Sequence, residues 1–262
     1  MFKTSQEAFF IVKPFRTKLD YNYKFSYFWT MKHIIYLVVF LPVMMWAQSN
    51  FDKAEKLFKA EKFDQAQLVF ESILKTNPSD LRTIEYLGDI AGHSKSWDKA
   101  LGYYKKLKQL KPSEADYHFK YGGVLGMKAK DSNKFKALGM IDEVKSSFEK
   151  AISLNPKHIE SRWALIELYI QLPGIVGGSE SKALKYSSEL LRLSPVDGYL
   201  SRGHIEEYFK RYNVAEQQYK KAILVGGSKT SYQKLANLYK NKMRAPEKAK
   251  AILETYNKKS QD

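Results

Sequence analysis

From about residue 50 onward, apolar residues recur at steps of three, four and seven, the spacing of one face of an α-helix. The stretch Leu81 to Glu114 carries the plan most clearly. Leu87, Gly88 and Ala91 fall on one face of a first helix, and Ala100, Tyr104 and Leu107 on one face of a second. The small residues Gly88 and Ala100 let the two helices approach closely, with Leu87, Tyr104 and Leu107 around the contact. Trp97 stands just before the second helix and covers the end of the pair. Lys111-Pro112 stops that helix, because a proline ring disfavours helical geometry in the residue before it.

The plan repeats. Ala66, Phe70 and Pro78 stand 34 residues before Ala100, Tyr104 and Pro112. Tyr121-Gly122 repeats the Leu87-Gly88 step, but Pro112 and Pro156 are 44 residues apart, so this unit carries a ten-residue insertion. Phe135, Leu138, Ile141, Val144 and Phe148 keep helical spacing, which predicts an added helical stretch, kinked near Gly139, leading into the second helix. The next proline, Pro195, follows Pro156 by 39 residues and implies a lengthened loop at Pro173 to Ser179. Gly203, Tyr212, Ala215, Tyr219 and Ala222 mark a fifth unit, stopped by Gly226-Gly227, and Leu235, Ala236, Tyr239, Ala249 and Leu253 a sixth. The expected units are 47–80, 81–114, 115–158, 159–195, 196–229 and 230–262, within an array over 48–262.

This pattern of small and large residues in a helix–turn–helix that ends in proline resembles the tetratricopeptide repeat. One such hairpin cannot bury its apolar face alone, so copies stack. The resemblance implies an all-α, right-handed α-solenoid of about six units. It also implies that the first helix of each unit lines a concave groove. Mapped onto this sequence, the groove positions include Glu85 and Asp89, then Phe119 (with Asp116), then Glu160, Trp163 and Glu167, then His204 and Glu207 (with Asp197). That set is acidic and aromatic. Phe119 and Trp163 are the expected anchors for a partner. Chaperone-binding members of the family grip a C-terminal carboxylate with lysine and asparagine; here Phe, Glu, Trp or Asp occupy those positions, which disfavours that activity. The expected partner is a protein or peptide presenting a basic or apolar segment.

Charge changes the picture. The 262-residue chain has a formal net charge of +16, which favours anionic partners. Its basic excess falls on second helices, at Lys99, Lys105, Lys106, Lys150, Lys185, Lys220 and Lys248 among others, predicting a positive back behind a negative groove. The back is a candidate surface for an anionic envelope layer, lipid or polysaccharide, and specific nucleic-acid binding is not expected.

Candidate chemistry is thin. With no cysteine, disulfides, thiolate nucleophiles and cysteine metal sites are excluded. The five histidines fit no metal-binding spacing, and no catalytic, cofactor or metal residues are assigned. The loop Gly174 to Ser179 resembles a phosphate nest but lacks the G-K-[ST] ending; it reads as a helix stop followed by a serine N-cap. The chain is read as a non-catalytic binding scaffold.

Residues 31–47 follow signal-peptide grammar: Lys32, an apolar run from Ile34 to Trp46, then Ala47. Cleavage is expected after Ala47, giving an exported, periplasmic protein; a secreted form, or one anchored by the uncleaved segment, is the alternative. Residues 1–30 hold ten aromatic residues with no helical or strand period and read as a non-native or disordered extension preceding a true start at Met31. Removing 1–47 takes away six basic and two acidic residues and leaves the chain basic.

Overall fold

The computed structural model of the protein describes residues 50–259. The expected N-terminal extension and signal peptide, residues 1–47, lie outside the described residues. Two compact units are distinguished, Met1–Val69 and Phe70–Asp262. Among the described residues of the first are α1 (50–59) and the start of α2 (Phe63–Thr76), with Phe51, Ala54 and Ala66 buried.

The second unit is a series of helical hairpins: α3 (Leu81–His93) with α4 (Trp97–Leu110), α5 (Ala115–Lys130) with α6 (Lys134–Leu154), α7 (Ile159–Gln171) with α8 (Glu180–Leu193), α9 (Pro195–Tyr208) with α10 (Tyr212–Gly226), and α11 (Lys229–Asn241) with α12 (Pro246–Lys259). Each hairpin packs on the next through α4–α5, α6–α7, α8–α9 and α10–α11. Odd-numbered helices also touch in sequence, α5 on α7, α7 on α9 and α9 on α11, so the first helices form one layer of their own. No strand occurs among the described residues, and the architecture is the all-α repeat solenoid expected from the pattern.

The residues explain the packing. A Cβ added at Gly88 would sit 2.9 Å from the Tyr104 ring, at Gly122 3.0 Å from the Phe148 ring, and at Gly203 2.4 Å from the Tyr219 ring. The glycine of each of these first helices is thus the seat for the aromatic ring of its second helix. Tyr104 and Tyr219 are almost wholly buried, as are Phe70 and Phe148, so these aromatics are core rather than a stacking surface. In α8 the corresponding position is Ser187, and bulky Leu165 and Ile166 fill that hairpin's core instead.

Helix starts are fixed by side-chain caps. Asp80 accepts from the Thr83 amide at 2.7 Å, Asn133 from Lys136, His158 from Ser161, Ser179 from Lys182, and Ser228 from Ser231. Ser194 caps α9, and Pro195 opens that helix rather than merely ending the one before. The insertion emerges as extra length in α6, 21 residues of unbroken helix through Gly139, with no helical break at the expected kink.

Candidate functional site

The predicted groove residues lie on the odd-numbered helices, and most of their polar groups are already engaged. Glu85 and Asp89 on α3 are half-buried and face Lys120 of α5, whose Nζ stands 2.6 Å from Glu85 Oε1 and 3.0 Å from Asp89 Oδ2. Asp89 also accepts the Tyr104 hydroxyl. Burial opposes the Lys120 charge, but the hydrogen bonds and negative charge of Glu85 and Asp89 outweigh it and raise its pKa. Burial first, then Asp89, pushes the Tyr104 phenol well above its ordinary value.

Around α5 and α7, Phe119 is half-buried, its ring 5.8 Å from Phe148 and 5.2 Å from His158. His158 is buried. Its Nδ1 accepts the Ser161 amide at 3.1 Å, so the proton sits on Nε2, which donates to Asp116 at 3.0 Å. Glu160 lies 3.5 Å from the same imidazole. Between α7 and α9, Trp163 donates its indole N–H to Asp197 at 3.0 Å, and its ring lies 6.4 Å from that of His204. Glu167 pairs with His204 at 2.7 Å; hydrogen bonding from His204 is the main reason its carboxyl is held below the usual range. Glu207 accepts the Tyr219 hydroxyl at 2.8 Å.

The structure therefore brings the eight predicted residues together in local sets rather than as one open wall: Glu85 with Asp89, Phe119 with Glu160 around His158, and Trp163 with Glu167 and His204. Glu207 is tied to its own hairpin. The expected bare acidic lining is largely hydrogen-bonded from within. On α3 the reason is Lys120, which the groove positions do not include. It stands 35 residues after Glu85, close to one repeat, so the two side chains meet across neighbouring first helices. That spacing is the signal that could have found it.

Two open depressions border α5 on either side of Gly123 and Met127. One, of about 380 Å³, lies against Gly88, Asp89, Gly92, Trp97, Lys120 and Val124. The other, of about 460 Å³, is mainly apolar and lies between α5, α6 and α7, against Gly126, Ala137, Ile141, Ala164, Leu168 and Leu172, with Glu167, Gln171 and Lys130 at its edges. Gly123 and Met127 line both. A Cβ at Gly123 would meet nothing within 4 Å, so this glycine opens space instead of closing a contact. Pattern reading missed this cavity because its wall comes from the inserted part of α6. Among the described residues, no group of three His, Asp or Glu side chains could hold a metal ion. The glycine loop forms a short 3-10 turn, Gly174–Val176, closed by Gly177 in the left-handed region (φ 99°), and Ser179 caps α8 as expected.

A family model described as tetratricopeptide repeat matches residues 135–158, the second helix of the lengthened hairpin. Among solved structures, the fold is shared with a thermophilic tetratricopeptide-repeat protein of Thermus thermophilus (18% identity, 76% of this chain and 98% of that one, TM-score 0.58). It is shared with a tetratricopeptide-repeat protein of Parabacteroides merdae (17% identity, 80% and 78%, TM-score 0.55). It is shared also with human IFIT1, solved as a dimer with m7Gppp-AAAA (21% identity, 81% and 55%, TM-score 0.59). No curated protein matches the sequence. The repeat model matches one unit, residues 135–158, and the stacked hairpins around it share the fold of solved tetratricopeptide-repeat proteins.

Proposed function

We propose that the protein is a non-catalytic scaffold that holds a protein or peptide partner against its first-helix layer, as an exported component of the cell envelope. The observation that carries this reading is the open trough over α5, where two depressions share Gly123 and Met127 beside a rim of satisfied polar pairs. Concave layers of stacked hairpins serve this kind of recognition. Asp89 lines one depression and Glu167 the other; on this reading Glu85, Glu160, His204 and Glu207 extend the polar contacts along the same helix layer, with Phe119 and Trp163 as its aromatic anchors. Because most rim carboxylates are paired within the chain, the seated segment is apolar at its centre.

The test is capture of peptides from a synthetic array by the full chain. Replacing both Phe119 and Trp163 with alanine should weaken capture about tenfold or more, with circular dichroism confirming retained helix. Unchanged capture sinks the reading. Export is tested separately: N-terminal sequencing of the native protein should begin at Gln48, and a start before Met31 overturns the reading of residues 1–30.

A second reading rests on the even-numbered helices, where Lys99, Lys105, Lys150, Lys185, Lys221 and Lys248 are all exposed. This face suits an anionic surface. Binding to anionic vesicles or polysaccharide would then fall steeply with added salt, whereas groove binding to an uncharged apolar peptide would not.

A further inference from the structure

The lengthened hairpin α5/α6 gives one part of the trough a character that the rest lacks. The insertion starts α6 early, at Lys134, and its first turns supply Ala137 and Ile141 as one wall of the 460 Å³ cavity. Lys134, Ala137 and Ile141 are spaced i, i+3, i+7, so they share a helix face. Lys130, at the end of α5, lines the same cavity. Both lysines are exposed, and neither has an ion-pair partner among the described residues. At the opposite edge the one carboxylate, Glu167, is taken up by His204 and Gln171. The cavity is therefore apolar inside, with closed polar pairs on one side and uncompensated positive charge on the other.

We propose that this cavity is the specificity pocket of the scaffold, and that it seats a peptide segment whose apolar side chains are followed by acidic residues reaching Lys130 and Lys134. The inference rests on the groove reading above and narrows it: the partner's flank is acidic, although the mapped groove positions suggest a basic one. Charge complementarity decides this. A basic flank would meet two unpaired lysines on one side and, on the other, a carboxylate whose oxygens His204 and Gln171 already occupy, while an acidic flank gains both lysines. Gly123 makes the seat possible, since its missing side chain leaves the helix backbone as floor.

The experiment measures fluorescence anisotropy of three labelled peptides that share one Leu/Phe core and carry a Glu, Lys or Ser flank, titrated with the full chain. The Glu-flanked peptide should bind tightest, about tenfold over the Lys-flanked one, a gap of about 1.4 kcal/mol that shrinks with salt. Gly123→Leu, whose Cβ would meet nothing within 4 Å, puts bulk on the floor and should weaken the Glu-flanked peptide about tenfold, with its thermal melt retained. Lys130→Glu combined with Lys134→Glu should reverse the flank preference. Tighter binding of the Lys-flanked peptide to the native chain overturns the acidic-flank inference and leaves the groove reading standing. If no peptide binds but array capture still depends on Phe119 and Trp163, the cavity is not the seat. If neither occurs, the groove reading itself falls. If the apolar anion anilinonaphthalene sulfonate fills the cavity and no peptide displaces it, a small-molecule site replaces the peptide and the proposal is overturned.

Discussion

Single residues set how closely each hairpin closes and how sharply it turns. Gly203 is the tightest of the glycine–aromatic seats: a methyl group there would sit 2.4 Å from the Tyr219 ring. Gly203→Ala is expected to destabilise the protein by about 1–3 kcal/mol, the cost of overpacking, although alanine is the better helix former; urea melts check it. The turns of the regular hairpins carry the opposite defect. Lys95 and Lys210 adopt left-handed backbone (φ 56° and 61°), each following a helix whose last carbonyls are closed by successive amides: Lys95 to Gly92 and Ser96 to Ala91, Lys210 to Glu207 and Arg211 to Glu206. Glycine is the natural occupant of that position, so Lys95→Gly or Lys210→Gly should raise stability by about 1 kcal/mol, read from the same melts. The recurrence of small and aromatic positions was legible in the sequence, but that reading faced Gly88 with Ala100; the structure seats the Tyr104 ring on Gly88, Phe148 on Gly122 and Tyr219 on Gly203. The left-handed lysines were not legible, because lysine carries no local preference for that conformation and only the closure of the neighbouring helices imposes it.

Elements are bounded by caps and lengthened by insertion. The α6 start depends on Asn133, whose side chain accepts the Lys136 amide at 3.0 Å. Asn133→Ala should cost about 1 kcal/mol and fray the first turn, where Phe135 is already 89% exposed; faster amide exchange over residues 134–138 would report it. Periodicity foretold an added helical stretch here but placed a kink at Gly139. Glycine weakens a helix without breaking it, and packing of Met140 and Val144 into the core outweighs a local cost of about 1 kcal/mol. The residues that line the cavity became visible only when α5 and α7 were laid beside this helix.

Across the second unit, cohesion comes from neighbours, so stability is distributed rather than global. The largest buried cluster joins residues of α5 to α9, including Leu125, Phe148, Leu165, Leu190 and Ile205. The last helix, α12, has only Ala249 fully buried. Hydrogen exchange should therefore be slowest in α7 and α8 and fastest in α12, and uniform protection along the unit would contradict this. Electrostatic links between hairpins add a pH dependence. The folded chain holds the Glu167 carboxyl below its ordinary value of 4.5, so this pair's contribution is complete above that pH and fades as pH falls through the lowered value. The stability difference between the native chain and Glu167→Gln should shrink correspondingly as the pH falls below 4.5.

The sequence by itself determined the fold class and the core, because hydrophobic spacing, small–large pairing and helix-stopping prolines are local properties repeated along the chain. It also placed Glu85, Asp89, Phe119, Glu160, Trp163, Glu167, His204 and Glu207 on first helices. What it could not decide was which of those groups stay available. Charge pairing between hairpins depends on side chains about one repeat apart that meet only after stacking, as Lys120 meets Glu85 and Asp89 and His204 meets Glu167. The apolar cavity likewise exists only where one helix outgrows its neighbours, so its shape and its lysine rim are facts of packing, not of pattern.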